Sequence, residues 1–391
     1  MIHYALFFST KKRRAKRKPI GLQLFLKIKI ENFYLQKQLR SDRFSLGTPF
    51  FRRKKQCVVN YENLLCTRTM PPFLILTTST MKVKQTLCAF LCAFATLIFC
   101  SCDKKVDPII HFRVKFDPLQ ERLNANGLTS GVVSGRAAQS PLINAVGIQQ
   151  IELATNNSTP LSKGVVLLST PVLTAAGDAA IDFSQVKIAK DGEVFFSIPM
   201  SKLGVGRYEW ARVAVAYQNF DVLFNMLNVP FSGNFNDERG TIATFLGNNN
   251  YITKYLVGTK DETINGNKKQ GYWCFESKLA SAYSSNDRMY NGQVADGTTT
   301  IVNPMYQTSP IPSGSCVVTG RFDTPRSITG KETDDMTVTL SFSTNRSFEW
   351  EESINRNGKW DADRQAATGQ PNIEKVLDTG LRGLRIWYEN K

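Results

Sequence analysis

Beyond residue 102 the chain carries one histidine, His111. One imidazole supplies one nitrogen ligand or one general base, so this part cannot build a multi-histidine copper or iron site, a His-x-x-x-His zinc pair or an HExxH helix. A Ser-His-Asp triad would have to use His111, which sits in an alternating strand pattern with no nucleophile elbow nearby; the competing reading is an ordinary strand histidine on the wetter face. No Walker loop is present, and Gly204-Val205-Gly206 leads through Arg207-Tyr208-Glu209 into a strand rather than a phosphate-binding helix. Carboxylate pairs can act without histidine, as in glycoside hydrolysis. The densest acids beside aromatics are Glu349, Glu351 and Glu352. Strand alternation sets Phe348 and Trp350 on one face and Glu349 and Glu351 on the other, which also fits a core-facing aromatic pair backed by solvated acids. No catalytic residue emerges, and an enzyme is the less favoured reading.

Two further features suit binding. The loop Asn355-Arg356-Asn357-Gly358-Lys359-Trp360-Asp361-Ala362-Asp363 places oxygen-bearing side chains at alternate positions around a glycine. Calcium needs six to eight oxygens gathered by a tightly wound backbone, so Asn355, Asn357, Asp361 and Asp363 are candidate ligands. No glutamate closes the loop, and Asn-Gly is equally a hairpin turn. Trp387 shares a strand face with Arg385 and Glu389, so it is a candidate ligand or protein contact, as is Trp360 in the oxygen-rich loop. Trp210, Trp273 and Trp350 lie in apolar strand patterns and are expected in the core.

The elements that must position these residues are strands. Positions 109–116 alternate, with Ile110, Phe112, Val114 and Phe116 against Ile109, His111, Arg113 and Lys115. Similar runs occur at 147–153, 164–169, 193–199, 208–218, 241–246, 251–257, 271–277, 315–322, 336–343 and 384–389, separated by turn-rich stretches. Short helices are expected at 119–124, 277–283 and 361–367, and 284–314 reads as a long loop. The pattern predicts an all-β fold, an antiparallel β-sandwich of Ig-like or jelly-roll-like type, with 109–391 as one elaborated domain.

Charge divides the chain sharply. Its net charge is +16, yet residues 1–80 hold 17 Lys and Arg against 3 Asp and Glu, while from Cys102 onward 30 basic residues face 30 acidic ones. No electrostatic case for a nucleic-acid partner survives in the neutral part. At Met81 a new pattern begins: Lys82 and Lys84, a 14-residue apolar run at 87–100, then Ser101 and Cys102. This is the build of a secretory signal peptide at 81–101, too short for a good membrane span. A signal peptide works at a chain's N-terminus, so residues 1–80 are expected to be a non-native upstream extension without a stable fold.

The end of that segment, Phe99-Cys100-Ser101-Cys102 followed by Asp103-Lys104-Lys105, resembles the lipobox of Gram-negative bacterial lipoproteins. The resemblance implies lipidation of Cys102, a tether over 102–108 and a place in the cell envelope, anchored in the outer membrane with its folded part on the periplasmic or surface side. Export also puts Cys274 and Cys316 in an oxidising compartment. They invite a disulfide, which would stabilise by roughly 4 kcal/mol on the chain-entropy model, or remain two separate buried thiols.

Several segments are similar to the MbnP-like family of bacterial periplasmic lipoproteins: FRVKFDPLQERLNAN at 112–126, AQSPLINAVGIQQIEL at 138–153, AIDF at 180–183, YEWARVAVAYQNFDVLF at 208–224 and DTGLRGL at 378–384. The resemblance implies a β-sandwich in the envelope, a dihaem peroxidase-like partner for some members, and copper bound in some through histidine and an oxidised tryptophan. Here only His111 is available for copper. The expected function is a lipid-anchored envelope binding or scaffolding module; the alternatives are an MbnP-like copper carrier and a glycan-binding surface lipoprotein.

Overall fold

A computed structural model describes residues 107–174, 179–277, 279, 289–295, 299–312, 314–364 and 371–390. All fall within one compact unit, Phe99–Lys391. The basic extension at 1–80, the signal segment at 81–101, Cys102 and most of the tether lie outside the described residues.

The elements are almost all strands. The first eight are β1 (Ile109–Asp117), β2 (Arg136–Gln139), β3 (Leu142–Ala154), β4 (Val165–Ser169), β5 (Val172–Leu173), β6 (Ala180–Asp182), β7 (Lys187–Ala189) and β8 (Val194–Pro199). A long hairpin, β9 (Gly206–Val229) and β10 (Gly233–Phe245), precedes β11 (Asn250–Leu256), β12 (Asp261–Lys268), β13 (Tyr272–Ser277) and β14 (Met289–Gln293). The chain closes with β15 (Val317–Ile328), β16 (Met336–Ser343), β17 (Phe348–Glu351), β18 (Trp360–Asp363), β19 (Asn372–Ile373), β20 (Val376–Asp378) and β21 (Leu384–Asn390).

Fourteen strands form one large sheet whose main path runs β14-β13-β10-β9-β15-β21-β16-β1-β8. The 24-residue β9 is its spine, since β15 and β10 pair along one part or another of it while β3 and β18 do the same. Two small sheets, β12-β11-β6-β5 and β2-β17-β20, complete the fold, and among the described residues no barrel closes. The alternation read at β1 holds: Ile110, Phe112 and Val114 are fully buried, packed in the main core with Leu340 and Phe342 of β16 and Ile386 of β21. Trp360 anchors the other end of that core, its ring 4.9 Å from Phe275 and 5.1 Å from Phe348 between centroids. Such edge-to-face pairs add about 0.5–1.5 kcal/mol each beyond area burial.

The small sheet β12-β11-β6-β5 builds a second core. Ile242 of β10 faces the main cluster while its neighbour Ala243 faces the second, as successive strand residues must. There Tyr217 and Phe245 meet Ile252, Tyr255 and Val257. Phe183 wedges between the sheets, 5.2 Å from Tyr217 and 5.1 Å from Phe245.

The expectation of an antiparallel fold is corrected. The large sheet is mixed: β1 runs parallel to β16, β15 to β21 and β9 to β18, and in the small sheet β6 runs parallel to β11. Alternation reports which face is buried, not the direction of the neighbour, and parallel partners need long connections that leave no local signal. The helix expected at 361–367 is corrected at its start, because Asp361 to Asp363 belong to β18, while residues 365–367 lie outside the described residues; residues 119–124 form no helix. The helical pieces described are two three-residue 3-10 turns, Phe183–Gln185 and Met200–Lys202.

Candidate functional site

His111 pairs across the sheet with Ser197 of the edge strand β8, its Nδ1 2.8 Å from Ser197 Oγ. Its Nε2 stands 4.0 Å from Asp335 Oδ2. The three residue types of a hydrolytic triad are thus neighbours, but the carboxylate is out of hydrogen-bond range and Ser197 lies within a regular strand, not on an elbow that presents Oγ over backbone N–H groups. One imidazole and one distant carboxylate also fall short of a copper ligand set, and among the described residues no three His, Cys, Asp or Glu converge on a common point. Trp387 is half-buried on the same sheet face, two strands away; its Nε1 donates to Glu389 Oε1 at 3.3 Å.

The oxygen-rich loop closes on itself. Asp361 is fully buried, and its carboxylate accepts from Asn225 Nδ2 at 2.7 Å and from Asn355 and Asn357 Nδ2 at 3.0 Å each. Asn357 Oδ1 accepts from Lys359 N and Asn225 Oδ1 from Asp237 N, so these amides turn nitrogen, not oxygen, toward the carboxylate. Asp363 lies further along β18 and accepts from Asn228. This donor set does not fit calcium, which requires inward-facing oxygens. Trp360, a candidate contact by sequence, is 1% exposed and donates to Glu374 O, so its role is packing. Cys274 and Cys316 are free thiols in different hydrophobic clusters, the arrangement of two separate buried thiols that the sequence leaves open beside a disulfide. Cys274 lies in β13 and Cys316 just before β15, and sequence carries no distance between them.

The acids near Trp350 also divide differently from the expectation. Glu351 is exposed, but Glu349 is buried beneath three guanidiniums: Arg122 and Arg382 on Oε1, and Arg136 at 3.1 Å on Oε2. Arg382 also reaches Asp378 at 2.8 Å. Burial and the neighbouring Arg382 charge push the Arg122 guanidinium below its ordinary value, against the pull of Glu349. Arg122 further donates to the carbonyls of Gly131, Asn345 and Arg346. With its charges opposed, this cluster ties the segments carrying Arg122, Arg136, Glu349, Asp378 and Arg382 together.

A cavity of about 890 Å³ lies beside the small sheet β12-β11-β6-β5. Its construction starts at a β-bulge. Along the β3–β9 ladder Ile148 faces Val215 and Gln150 faces Ala214, so Gln149 is the extra residue, and a bulge re-aims its side chain. Gln149 lines the cavity and is 5% exposed; its Oε1 is fully buried and has no hydrogen-bond partner. Around it stand Gln150, Asn248, Asn249 and Gln270, whose buried Nε2 is likewise unpartnered, with the hydroxyls of Thr170 and Ser315. Backbone strain gathers here: Cys316 holds φ of 46°, and a side chain at Gly314, with φ of 86°, would place Cβ 2.6 Å from Gln270 Oε1. Among the described residues the only ionisable side chain lining the cavity is Lys269. The described residues around it can donate and accept neutral hydrogen bonds.

Sequence reasoning missed these carboxamides. The signal was available in Ile148-Gln149-Gln150-Ile151, where two adjacent amides interrupt an apolar strand, and in Asn248-Asn249-Asn250 after Gly247. A second groove of about 720 Å³ has a polar floor of Asn144, Asn219, Asp221 and Thr241 under Ile188 and Leu256. Its floor is internally bonded, with Asp221 Oδ1 accepting from Asn144 at 2.9 Å and from Thr241 at 2.8 Å. No protein-family model, no curated protein and no solved structure matches this chain.

Proposed function

We propose that the chain is a lipid-anchored binding module of the bacterial cell envelope, built as an elaborated β-sandwich and carrying no catalytic centre. The lipobox-like ending at Cys102 and the neutral composition that follows support the anchor and the compartment. The MbnP-like resemblance is consistent with both and adds a dihaem peroxidase-like protein as a partner to test; among the described residues no ligand set for its copper chemistry gathers around His111.

One observation carries the binding reading: beside the β3 bulge the carboxamide residues Gln149, Gln150, Asn248, Asn249 and Gln270 gather around a cavity of about 890 Å³. Carboxamides offer hydrogen-bond donors and acceptors together, which suits a cavity that holds a polar, uncharged ligand. The test has two parts. The natively purified chain should give a denatured mass that starts at an acylated Cys102, and low-molecular-weight fractions of envelope extract should raise its melting temperature unless Gln149 is replaced by leucine. An unacylated mass would remove the anchor, and a melting curve indifferent to every fraction would remove the binding module.

A further inference from the structure

We propose that the end of the sheet where the chain enters lies against the bilayer that holds Cys102, so that Val205 touches lipid; the inference rests on the anchor in the reading above and names the surface that meets the membrane. The entry point is fixed to the fold. Asp107 accepts from Ser201 N at 3.1 Å and from the Ser201 hydroxyl, and Pro108 O accepts from Met200 N at 2.7 Å. Ile109 N donates to Asp335 Oδ1, also at 2.7 Å. These bonds tie the entering chain to the turn after β8 and to the residue before β16. Asp107 follows Cys102 by five residues. A chain extends at most about 3.6 Å per residue, so an acylated Cys102 stands within about 18 Å of this pinned point.

What that end presents suits a lipid surface. Asp107 and Pro108 share a notch of about 430 Å³ with Met200, Leu203, Val205 and Ile328. Met200, Leu203 and Ile328 are buried, while Val205 is 75% exposed and forms the apolar projection. Lys202 and Lys331, exposed between lining residues, join Asp107 and Glu332 to give the rim both signs of charge, and zwitterionic headgroups carry a phosphate and an ammonium to meet each. One valine buries too little to hold a protein on a membrane, so the contact orients the domain and the acyl chains attach it. Leu119 and Phe231 project further into solvent than Val205, but the entry point selects among the three. Val205 borders the entry residues, Leu119 comes after the nine residues of β1, about 27 Å along the strand, and Phe231 after the 24 residues of β9.

The test uses the natively purified chain in vesicles of phosphatidylcholine that contain a nitroxide-labelled phosphatidylcholine. A bimane is attached at Val205→Cys, Leu119→Cys or Phe231→Cys, in three separate proteins; Cys274 and Cys316 are buried and should stay unlabelled. On vesicles the bimane at 205 should shift to the blue and be quenched by the nitroxide, while those at 119 and 231 should keep their solution spectra. Lys202→Cys gives the same reading should Val205→Cys fold poorly. Quenching at 119 or 231 equal to that at 205 overturns the end-on contact, as does a 205 probe that keeps its solution spectrum in a protein that sediments with the vesicles. Either result leaves the anchor standing. A chain that does not sediment with vesicles, or whose mass lacks acyl chains, overturns the anchor and the contact together.

Discussion

Arg212 and Glu152 stand directly opposite each other across the β3–β9 ladder, Nη1 3.3 Å from Oε2, with neither side chain more than 1% exposed. Both are further engaged. Glu152 accepts from the backbone N–H of Ser162 and Gly164, and Arg212 donates to the carbonyls of Thr159 and Pro160 and to Ser309 Oγ. The pair therefore fastens the loop after β3 to the sheet. Removing one partner leaves the other charge buried and uncompensated, so Arg212→Ala should destabilise by about 3–5 kcal/mol. The double replacement Arg212→Met with Glu152→Leu removes both charges and should cost less than the single one. Urea melts of the two variants decide this, and a double variant less stable than the single would sink the argument.

Glu276 gives a pH dependence with a definite sign. Burial opposes its ionisation, but the Thr259 hydroxyl and the N–H groups of Thr259, Gly258 and Lys260 outweigh it and hold the carboxyl below its ordinary 4.5. A depressed carboxyl stabilises the fold above its unfolded value, and that stability is lost as pH falls through the folded value. Acidification below 4.5 should thus unfold the chain in part through this group. Glu276→Gln should lower stability at neutral pH and flatten the acid limb of stability against pH. Glu374 acts in the opposite sense: burial, aided by Asp361, raises its carboxyl, so its contribution is present below 4.5 and fades as pH rises through the folded value. An acid limb unchanged in Glu276→Gln would show that other carboxyls set it.

How far the sequence reveals this molecule depends on range. Alternation at β1 names Ile110, Phe112 and Val114 as core because burial of one strand face is a local property. It cannot show that β1 lies parallel to β16, since the two strands come from opposite ends of the unit. Glu349 illustrates the same limit at a side chain. Alternation puts it opposite the buried Trp350 face, and only the fold brings Arg122 and Arg382 to cover it. Those two arginines sit in FRVKFDPLQERLNAN and DTGLRGL, so these segments hold a structural lock rather than a site. At the cavity, Gln149 and Gln150 were visible as amides in an apolar strand, but nothing local places Gln270 or Ser315 beside them.

Burial pushes the Cys274 and Cys316 thiols up to about 12 each, with the Asp378 charge adding to the rise at Cys316. At mildly alkaline pH both should be overwhelmingly protonated and inert. Iodoacetamide should leave these two residues unlabelled in the folded chain and label both once concentrated guanidinium unfolds it without reductant, as peptide mapping would read. A Cys274–Cys316 cross-linked peptide would contradict the free-thiol arrangement.

The turn around Asp361 distinguishes hydrogen bonding from metal binding. Three amide nitrogens, from Asn225, Asn355 and Asn357, converge on one buried carboxylate, and the oxygens of Asn225 and Asn357 are held by backbone N–H groups. Removing the carboxylate strands those donors, so Asp361→Ala should destabilise by about 3 kcal/mol, the scale expected for orphaned buried donors of a charged acceptor. The loss should be the same in chelator and in excess calcium, because the stabilising partner is the amide set. A calcium-dependent rise in melting temperature that Asp361→Ala abolishes would mean that the amides flip to present oxygen. The loop would then be a calcium site whose metal-free form is this hydrogen-bonded turn. Thermal melts of both proteins with chelator and with calcium therefore separate the two states of one carboxylate.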